Sequence, residues 1–133
     1  MKKRGTLILL DTNFLLAISQ NPVLNISHEL DRVIPQKRTL IVLEPILSEL
    51  RKIKEHGSPK VRLDTRMALE FVNRYCEIWA TDHIHRNIDF ILLSTAQDLQ
   101  AIIATNDHHL KTLAKEKGIK ILYVRNRRWL ELR

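Results

Sequence analysis

At 133 residues the chain has the length of one domain, and 44% hydrophobic and 28% charged residues with only 3 Gly and 4 Pro exclude a disordered, collagen-like or low-complexity protein. The net charge of +7 points to a polyanionic partner. That charge is carried by Lys2, Lys3 and Arg4 at one end and by Lys115, Lys117, Lys120, Arg125, Arg127, Arg128 and Arg133 at the other, against only Glu116 and Glu131.

Taken in order, Thr6 to Leu10 is a short apolar run that fits a buried strand, and Asp11-Thr12-Asn13 offers capping side chains for a helix to about Ser19. The start Lys-Lys-Arg before apolar residues has the outline of a secretory leader, but Asp11 interrupts it and no apolar run is long enough to span a bilayer. A second helix is expected from Ile26 to Ile34, a strand from Thr39 to Leu43, and a helix from Pro45, whose fixed φ suits a first turn. Gly57-Ser58-Pro59 breaks the chain before a long amphipathic helix over 60–75, and Glu77 to Ala80 reads as a third strand. Asn87 to Gln97 is apolar nearly all round and is expected to be a buried helix. Ala101 to Ala104 follows as a strand, Asp107 begins another helix, Gly118 ends it in a left-handed conformation, and Ile119 to Val124 is the last strand. Residues 125–133 then form a basic tail.

Strands alternating with helices imply right-handed crossovers, a mostly parallel sheet and a three-layer α/β domain over residues 1–133. The lone Cys76 forms no internal disulfide and has no zinc spacing around it, which suits a reducing, cytoplasmic setting and a place in the core.

In open sheets of this kind ligands bind beyond the carboxyl ends of the strands. Asp11 follows the first strand, Glu49 lies a turn into the helix after the second, Asp89 is in the first turn of the helix after the third, and Asp107 follows the fourth. Each has an ordinary structural reading as a helix cap, a dipole partner or a surface ion pair. Four acids on one edge point instead to a cation site. Asp89 shares a helical face with Leu92, Leu93 and Ala96, where an unpaired carboxylate is costly. An oxygen-only donor set favours Mg²⁺ or Mn²⁺ over zinc.

The segments Leu7 to Asn13 (LILLDTN), Pro45 to Leu50 (PILSEL), Asn87 to Ala96 (NIDFILLSTA) and Ile102 to Leu110 (IIATNDHHL) resemble the PIN-domain nucleases, in order and over essentially the whole chain. The resemblance implies a sheet of about five parallel strands and endonucleolytic cleavage of RNA. Asp11, Glu49, Asp89 and Asp107 match the family's metal-binding acids, while Thr12, Asn13, Thr105 and Asn106 match polar residues lining its active site. Two departures stand out. Several relatives carry a second acid beside the third one, where this chain has Phe90, and the zinc ribbon of some ribosome-maturation members is absent.

With that resemblance the expected activity is metal-dependent hydrolysis of RNA, in ribosomal RNA processing or in a toxin resembling VapC that cleaves tRNA or mRNA. An inactive PIN fold that binds RNA or protein is the reading from another class. Small PIN domains often pair, so a homodimer is in view, as is an antitoxin or ribosome-assembly partner. Arg125, Arg127, Arg128 and Trp129 combine phosphate-binding charge with a ring able to stack on a base or to cap the core. His83, His85, His108 and His109 lack zinc spacing, although His108 and His109 adjoin Asp107. No Ser-His-Asp arrangement, glycine-rich phosphate loop or Cys-His pair stands out.

Overall fold

The computed structural model describes residues 5–82 and 87–133, so Lys2, Lys3, Arg4, His83 and His85 lie outside the described residues. Its elements run β1 (Thr6–Leu10), α1 (Thr12–Ser19), α2 (Ile26–Val33), β2 (Arg38–Leu43), α3 (Glu44–His56), α4 (Pro59–Tyr75) and β3 (Glu77–Trp79). They continue as α5 (Ile88–Leu99), β4 (Ile102–Ala104), α6 (His108–Glu116), β5 (Ile121–Arg125) and β6 (Trp129–Leu132).

Helix starts follow local chemistry. Asn25, Ser58 and Asn87 accept hydrogen bonds from the amides of His28, Val61 and Phe90, and Pro45 and Pro59 occupy first turns. Gly118 stands at φ +72° after α6, a left-handed ending that glycine accepts without steric cost. At the other end of the chain, Gly5 stands at φ +74° where an added Cβ would meet the Lys37 carbonyl oxygen at 2.2 Å, and the next amide, Thr6, donates to that same oxygen.

The sheet order is β3-β2-β1-β4-β5-β6, parallel from β3 through β5, with β6 antiparallel to β5. The chain builds outward from β1 to β3, crosses back to β4, and builds outward again. Neighbouring β1 and β4 therefore form the point where strand order reverses, which opens a crevice at their carboxyl ends. Right-handed crossovers put α1 to α4 on one face and α5 and α6 on the other; α1 touches β5 and α4, while α5 touches β1, β4 and α6. Ile8, Leu9, Ile41, Val42 and Ile103 from the strands meet Leu15, Leu50 and Leu92 from the helices with no exposed surface. Burial of each such side chain contributes about 1.5–3 kcal/mol.

The expected α/β class and helix order are observed, with two corrections. The sheet has six strands, because what reads as a basic tail is β6. Arg128 donates its amide to the Arg125 carbonyl across a turn in which Asn126 and Arg127 have φ of 52° and 59°, and the chain folds back so that Leu130 is fully buried. The two positive φ values belong to a hairpin turn usually built with Asn-Gly, a signal this sequence lacks. The second correction concerns α5: Ile91, Leu92, Leu93 and Ala96 are buried, but Phe90 is 40% exposed. Cys76 is half-buried beside the core, and desolvation pushes its thiol up to about 12, so it stays protonated and inert. Among the described residues no helix is long and apolar enough to cross a membrane.

Candidate functional site

Asp11 leaves β1 at the β1–β4 crevice, its amide bonded to the Ala104 carbonyl at the end of β4. It is buried, and its carboxylate does two jobs. Oδ1 accepts from the Thr12 amide at 2.7 Å, capping α1, and Oδ2 accepts from the Thr105 hydroxyl at 2.7 Å. Thr105, fully buried, in turn accepts from the Asp107 amide at 3.1 Å. One hydroxyl thus ties the acid after β1 to the backbone of the acid after β4.

Glu49 joins from α3. Its Oε1 accepts from the Thr12 hydroxyl, so Thr12 serves Asp11 through its amide and Glu49 through its side chain. Asp107 caps α6, with Oδ1 accepting from the amides of His109 and Leu110 at 2.8 and 3.3 Å. The ordinary capping roles of Asp11 and Asp107 are therefore real, and Asp107 keeps Oδ2 without a partner among the described residues.

Asn13 and Asn106 hold the loops in place. Asn13 Oδ1 accepts from the Asn106 amide at 3.1 Å and lies 3.3 Å from the Thr105 hydroxyl oxygen, whose proton goes to Asp11. Asn106 imitates a strand residue beyond the end of β4: its Oδ1 accepts from the Val124 amide at 3.0 Å and its Nδ2 donates to the Val124 carbonyl at 3.1 Å. With both ends engaged, its amide braces the loop.

Asp89 comes from the first turn of α5, where the helix dipole favours a carboxylate. Burial nevertheless holds its pKa above the ordinary carboxylate value, Asp107 and Glu49 push the same way, and only His109 opposes them. Burial is also the main cause that raises Asp11, with Glu49 and Asp89 adding to it and the bonds from Thr105 and Thr12 pulling it down. Glu49 therefore acts on both Asp11 and Asp89, Asp89 acts on Asp11, and Asp107 acts on Asp89. Among the described residues none of the four forms an ion pair. Beside Asp89 opens a pocket of about 470 Å³ lined by Phe90, Leu93, His109 and Leu113.

The donor chemistry suits a hard divalent cation, since the side chains facing the crevice are carboxylates and hydroxyls. Among the described residues, however, no three acidic, histidine or cysteine side chains are drawn close enough to enclose one. The carboxylates repel and are unneutralised, but do not form a closed cage.

The four basic and aromatic residues expected to meet RNA do not form one free tail. Arg125 is paired to Glu131 at 2.9 Å, and Trp129 is half-buried on β6. Arg127 and Arg128 are exposed in the turn, where Asn21 Nδ2 donates to the Arg127 carbonyl at 2.6 Å. Arg127 and Asn106 share a pocket of about 380 Å³, which brings the turn to the same edge of the sheet as the acids. Absent from the sequence reading was Glu29, a buried acid on α2 bonded to β6; its only sequence signal was its spacing from Arg32.

Comparison with known proteins gives a consistent result. A family model described as a PIN like domain matches residues 8–127. Ribonuclease VapC4 of Methanocaldococcus jannaschii is 28% identical over 125 residues, spanning 92% of this chain and 92% of that protein. Among solved structures, the PIN domain endonuclease Utp24 superposes with a TM-score of 0.77 at 20% identity, over 98% of this chain and 92% of that one. A chain of VapBC2 from Rickettsia felis, bound to a DNA fragment from its promoter, superposes with a TM-score of 0.65 at 19% identity, over 90% of this chain and 100% of that one. At these identities the structural likeness speaks for the fold.

Proposed function

The chain belongs to the PIN-like domain family, and from that premise we propose that it is a divalent-metal-dependent endoribonuclease whose site is Asp11, Glu49, Asp89 and Asp107. The observation that carries the reading is a pair of carboxylates, Asp11 and Asp89, held above their ordinary pKa by burial and by neighbouring acids and forming no ion pair among the described residues. Retaining such charges is costly unless a ligand offsets them. The similarity to Ribonuclease VapC4 along nearly the full length of both chains adds the substrate class.

In this reading Asp11, Asp89 and Asp107 hold Mg²⁺ or Mn²⁺, and Glu49 acts through a water. Bound there, the ion supplies Lewis acidity toward the phosphate and an activated water. The chain's own residues set the frame. Thr105 fixes the direction of Asp11 and the course of the loop to Asp107, and Thr12 holds Glu49 on the crevice side of α3. Asn13 and Asn106 keep the two loops in register. The exposed Arg127 and Arg128 on the hairpin add positive potential for a phosphate backbone.

A toxin role fits the likeness to VapC4 and would bring an antitoxin as partner; ribosomal RNA processing in the cytoplasm is the other role consistent with the fold. The decisive assay is cleavage of labelled structured and single-stranded RNA with Mg²⁺, with Mn²⁺ and with EDTA. Cleavage that needs the ion and vanishes in Asp11→Asn supports the reading. An RNA-binding protein that leaves the RNA intact under all three conditions is instead an inactive member of the family.

A further inference from the structure

On the α5–α6 face of the sheet, a groove of about 560 Å³ runs between α6 and the β5–β6 hairpin. Its cationic lining is Lys111, Lys115, Lys120 and Arg133, with His108 at one end, and no carboxylate lines it. It is built by the two periodicities of the elements that flank it. On α6, His108, Lys111 and Lys115 recur at helical spacing on one side, while Leu110 and Ala114 are buried on the other. On the hairpin, Tyr123, Arg125, Glu131 and Arg133 share one face, while Leu122 and Leu130 are buried on the opposite one.

Two features separate this from a scatter of surface lysines. Lys111 Nζ sits 4.2 Å from the centroid of the Tyr123 ring, with the Arg133 guanidinium 5.8 Å from the same centroid, so the cations are held by a fixed aromatic plate. Glu131, the one acid on that strand face, is already engaged by Arg125, Arg133 and the Tyr123 hydroxyl. Charge in the groove is therefore organised, and among the described residues its lysines Lys111, Lys115 and Lys120 form no ion pair. Position supplies the direction: His108, at one end of the groove, directly follows Asp107, the cap of α6, and the groove follows that helix away from it for about 13 Å at 1.5 Å per residue.

We propose that this groove is the track along which the sugar–phosphate backbone of single-stranded RNA leaves the acid cluster, with Lys111, Lys115, Lys120 and Arg133 contacting successive phosphates. The inference rests on the reading of the acids as an RNA-cleaving site and names the surface by which that site holds its substrate. Phosphate contacts position a strand without reading its sequence, so the track accounts for affinity and direction of approach. Of the residues expected from the sequence to meet RNA, Arg127 and Arg128 sit in the hairpin turn, away from the groove, whereas Lys115, Lys120 and Arg133 of the basic terminal segment line it and Lys111 joins them from α6.

The test uses the full chain in EDTA, where binding is measured apart from cleavage, with labelled single-stranded RNA titrated over a range of salt. Lys115→Ala with Lys120→Ala removes two exposed cations at the end far from the acids. Lys52→Ala with Lys54→Ala removes the same charge from α3 on the opposite face. The groove pair should weaken binding roughly tenfold and reduce the log–log salt slope by about 0.7 for each phosphate no longer neutralised. The α3 pair should leave both nearly unchanged, and melting curves confirm that each variant folds. An unmoved affinity and slope for the groove pair, an equal loss from the α3 pair, or displacement of RNA by polyglutamate as readily as by polyuridylate overturns the track. Binding through the groove without cleavage in Mn²⁺ leaves the track standing and removes the nuclease reading, so the two failures are distinct.

Discussion

Glu29 on α2 accepts a hydrogen bond from the backbone amide of Leu130 at 2.9 Å, across 101 residues of sequence. Arg32, paired with Glu29 at 2.8 Å, donates to the Leu130 carbonyl at 2.7 Å. Two side chains of one helix thus satisfy both outward backbone groups of an edge strand, which would otherwise offer itself to another chain. Glu29→Ala should destabilise the protein by about 1–3 kcal/mol, the cost of leaving a buried amide unpaired, and should increase exchange of the Leu130 amide with solvent. The bond from Arg32 first, and that from Leu130 after it, hold the Glu29 pKa below its ordinary 4.5. Its contribution is therefore complete above pH 4.5 and is lost as the pH falls through the lowered value, so the mutant should show a smaller stability loss in acid than the wild type. An unchanged Leu130 exchange rate would show that the helix does not guard this edge.

Deleting residues 125–133 is consequently no clean probe of RNA binding, because it removes a strand. Leu130 is fully buried and packs in the main core, so Leu130→Ala should cost about 2–5 kcal/mol in chemical denaturation. A loss under about 1 kcal/mol would mean that β6 adds little to the core.

Strands β1, β2 and β4 were legible because their apolar runs are continuous, and the order of elements alone sets Asp11 directly after β1 and Asp107 between β4 and α6. The sixth strand was not legible. Its turn uses Asn126 and Arg127 in left-handed conformations, where non-glycine residues are uncommon, and its inward Leu130 and Leu132 sit beside cations that read as a tail. The end of α5 was hidden for a similar reason, since Gln100 takes φ 54° in the place where glycine is expected. The engagement of Asn106 with Val124 depends on where β4 stops and how far β5 continues, a tertiary relationship that helix and strand periods do not carry. Likewise the phase of α3 puts Glu49 on a flank, but only its contact with Thr12 says which neighbour it meets.

Thr105 is a positioning residue whose effect on pH dependence can be separated from packing. Its hydroxyl is the strongest influence that lowers the Asp11 pKa against the larger effect of burial. Thr105→Ala should raise that pKa further and move the acid limb of the cleavage profile to higher pH, because more alkaline solution is then needed to ionise Asp11. Thr105→Ser keeps the donor and should restore the limb. Profiles that coincide for Ala and Ser would reduce Thr105 to a packing role.

Glu49 already gives one oxygen to the Thr12 hydroxyl, which suits an assistant better than a primary ligand. Glu49→Gln is expected to lower the cleavage rate while leaving Mn²⁺ affinity by calorimetry close to the wild-type value. Abolished metal binding in Glu49→Gln, with binding intact in Asp89→Asn, would reverse the two roles.

Asp89 provides the most direct test of the electrostatics. Burial first, then Asp107 and Glu49, hold its folded pKa above the ordinary 3.8, so the metal-free fold prefers this carboxyl protonated. For a carboxyl with a raised folded pKa, the stabilising contribution is full below pH 3.8 and is lost as the pH rises through the raised value. At neutral pH the ionised group is then a net cost to the apo protein. Asp89→Asn keeps nearly the same volume and cannot ionise, so in EDTA it should melt at or above the wild-type temperature at pH 7 and lose less stability between acid and neutral pH. Asp11, raised for the same main reason, keeps part of that slope in the mutant. Mn²⁺ at a hundredfold over its dissociation constant should stabilise the wild type by about 2.7 kcal/mol, and the mutant by less. The measurement is a set of melting curves for both proteins with EDTA and with Mn²⁺ at several pH values. A wild type indifferent to Mn²⁺, together with a strongly destabilised Asp89→Asn apo form, would make Asp89 a structural partner of the α5 N-terminus and remove the main physical support for a metal site.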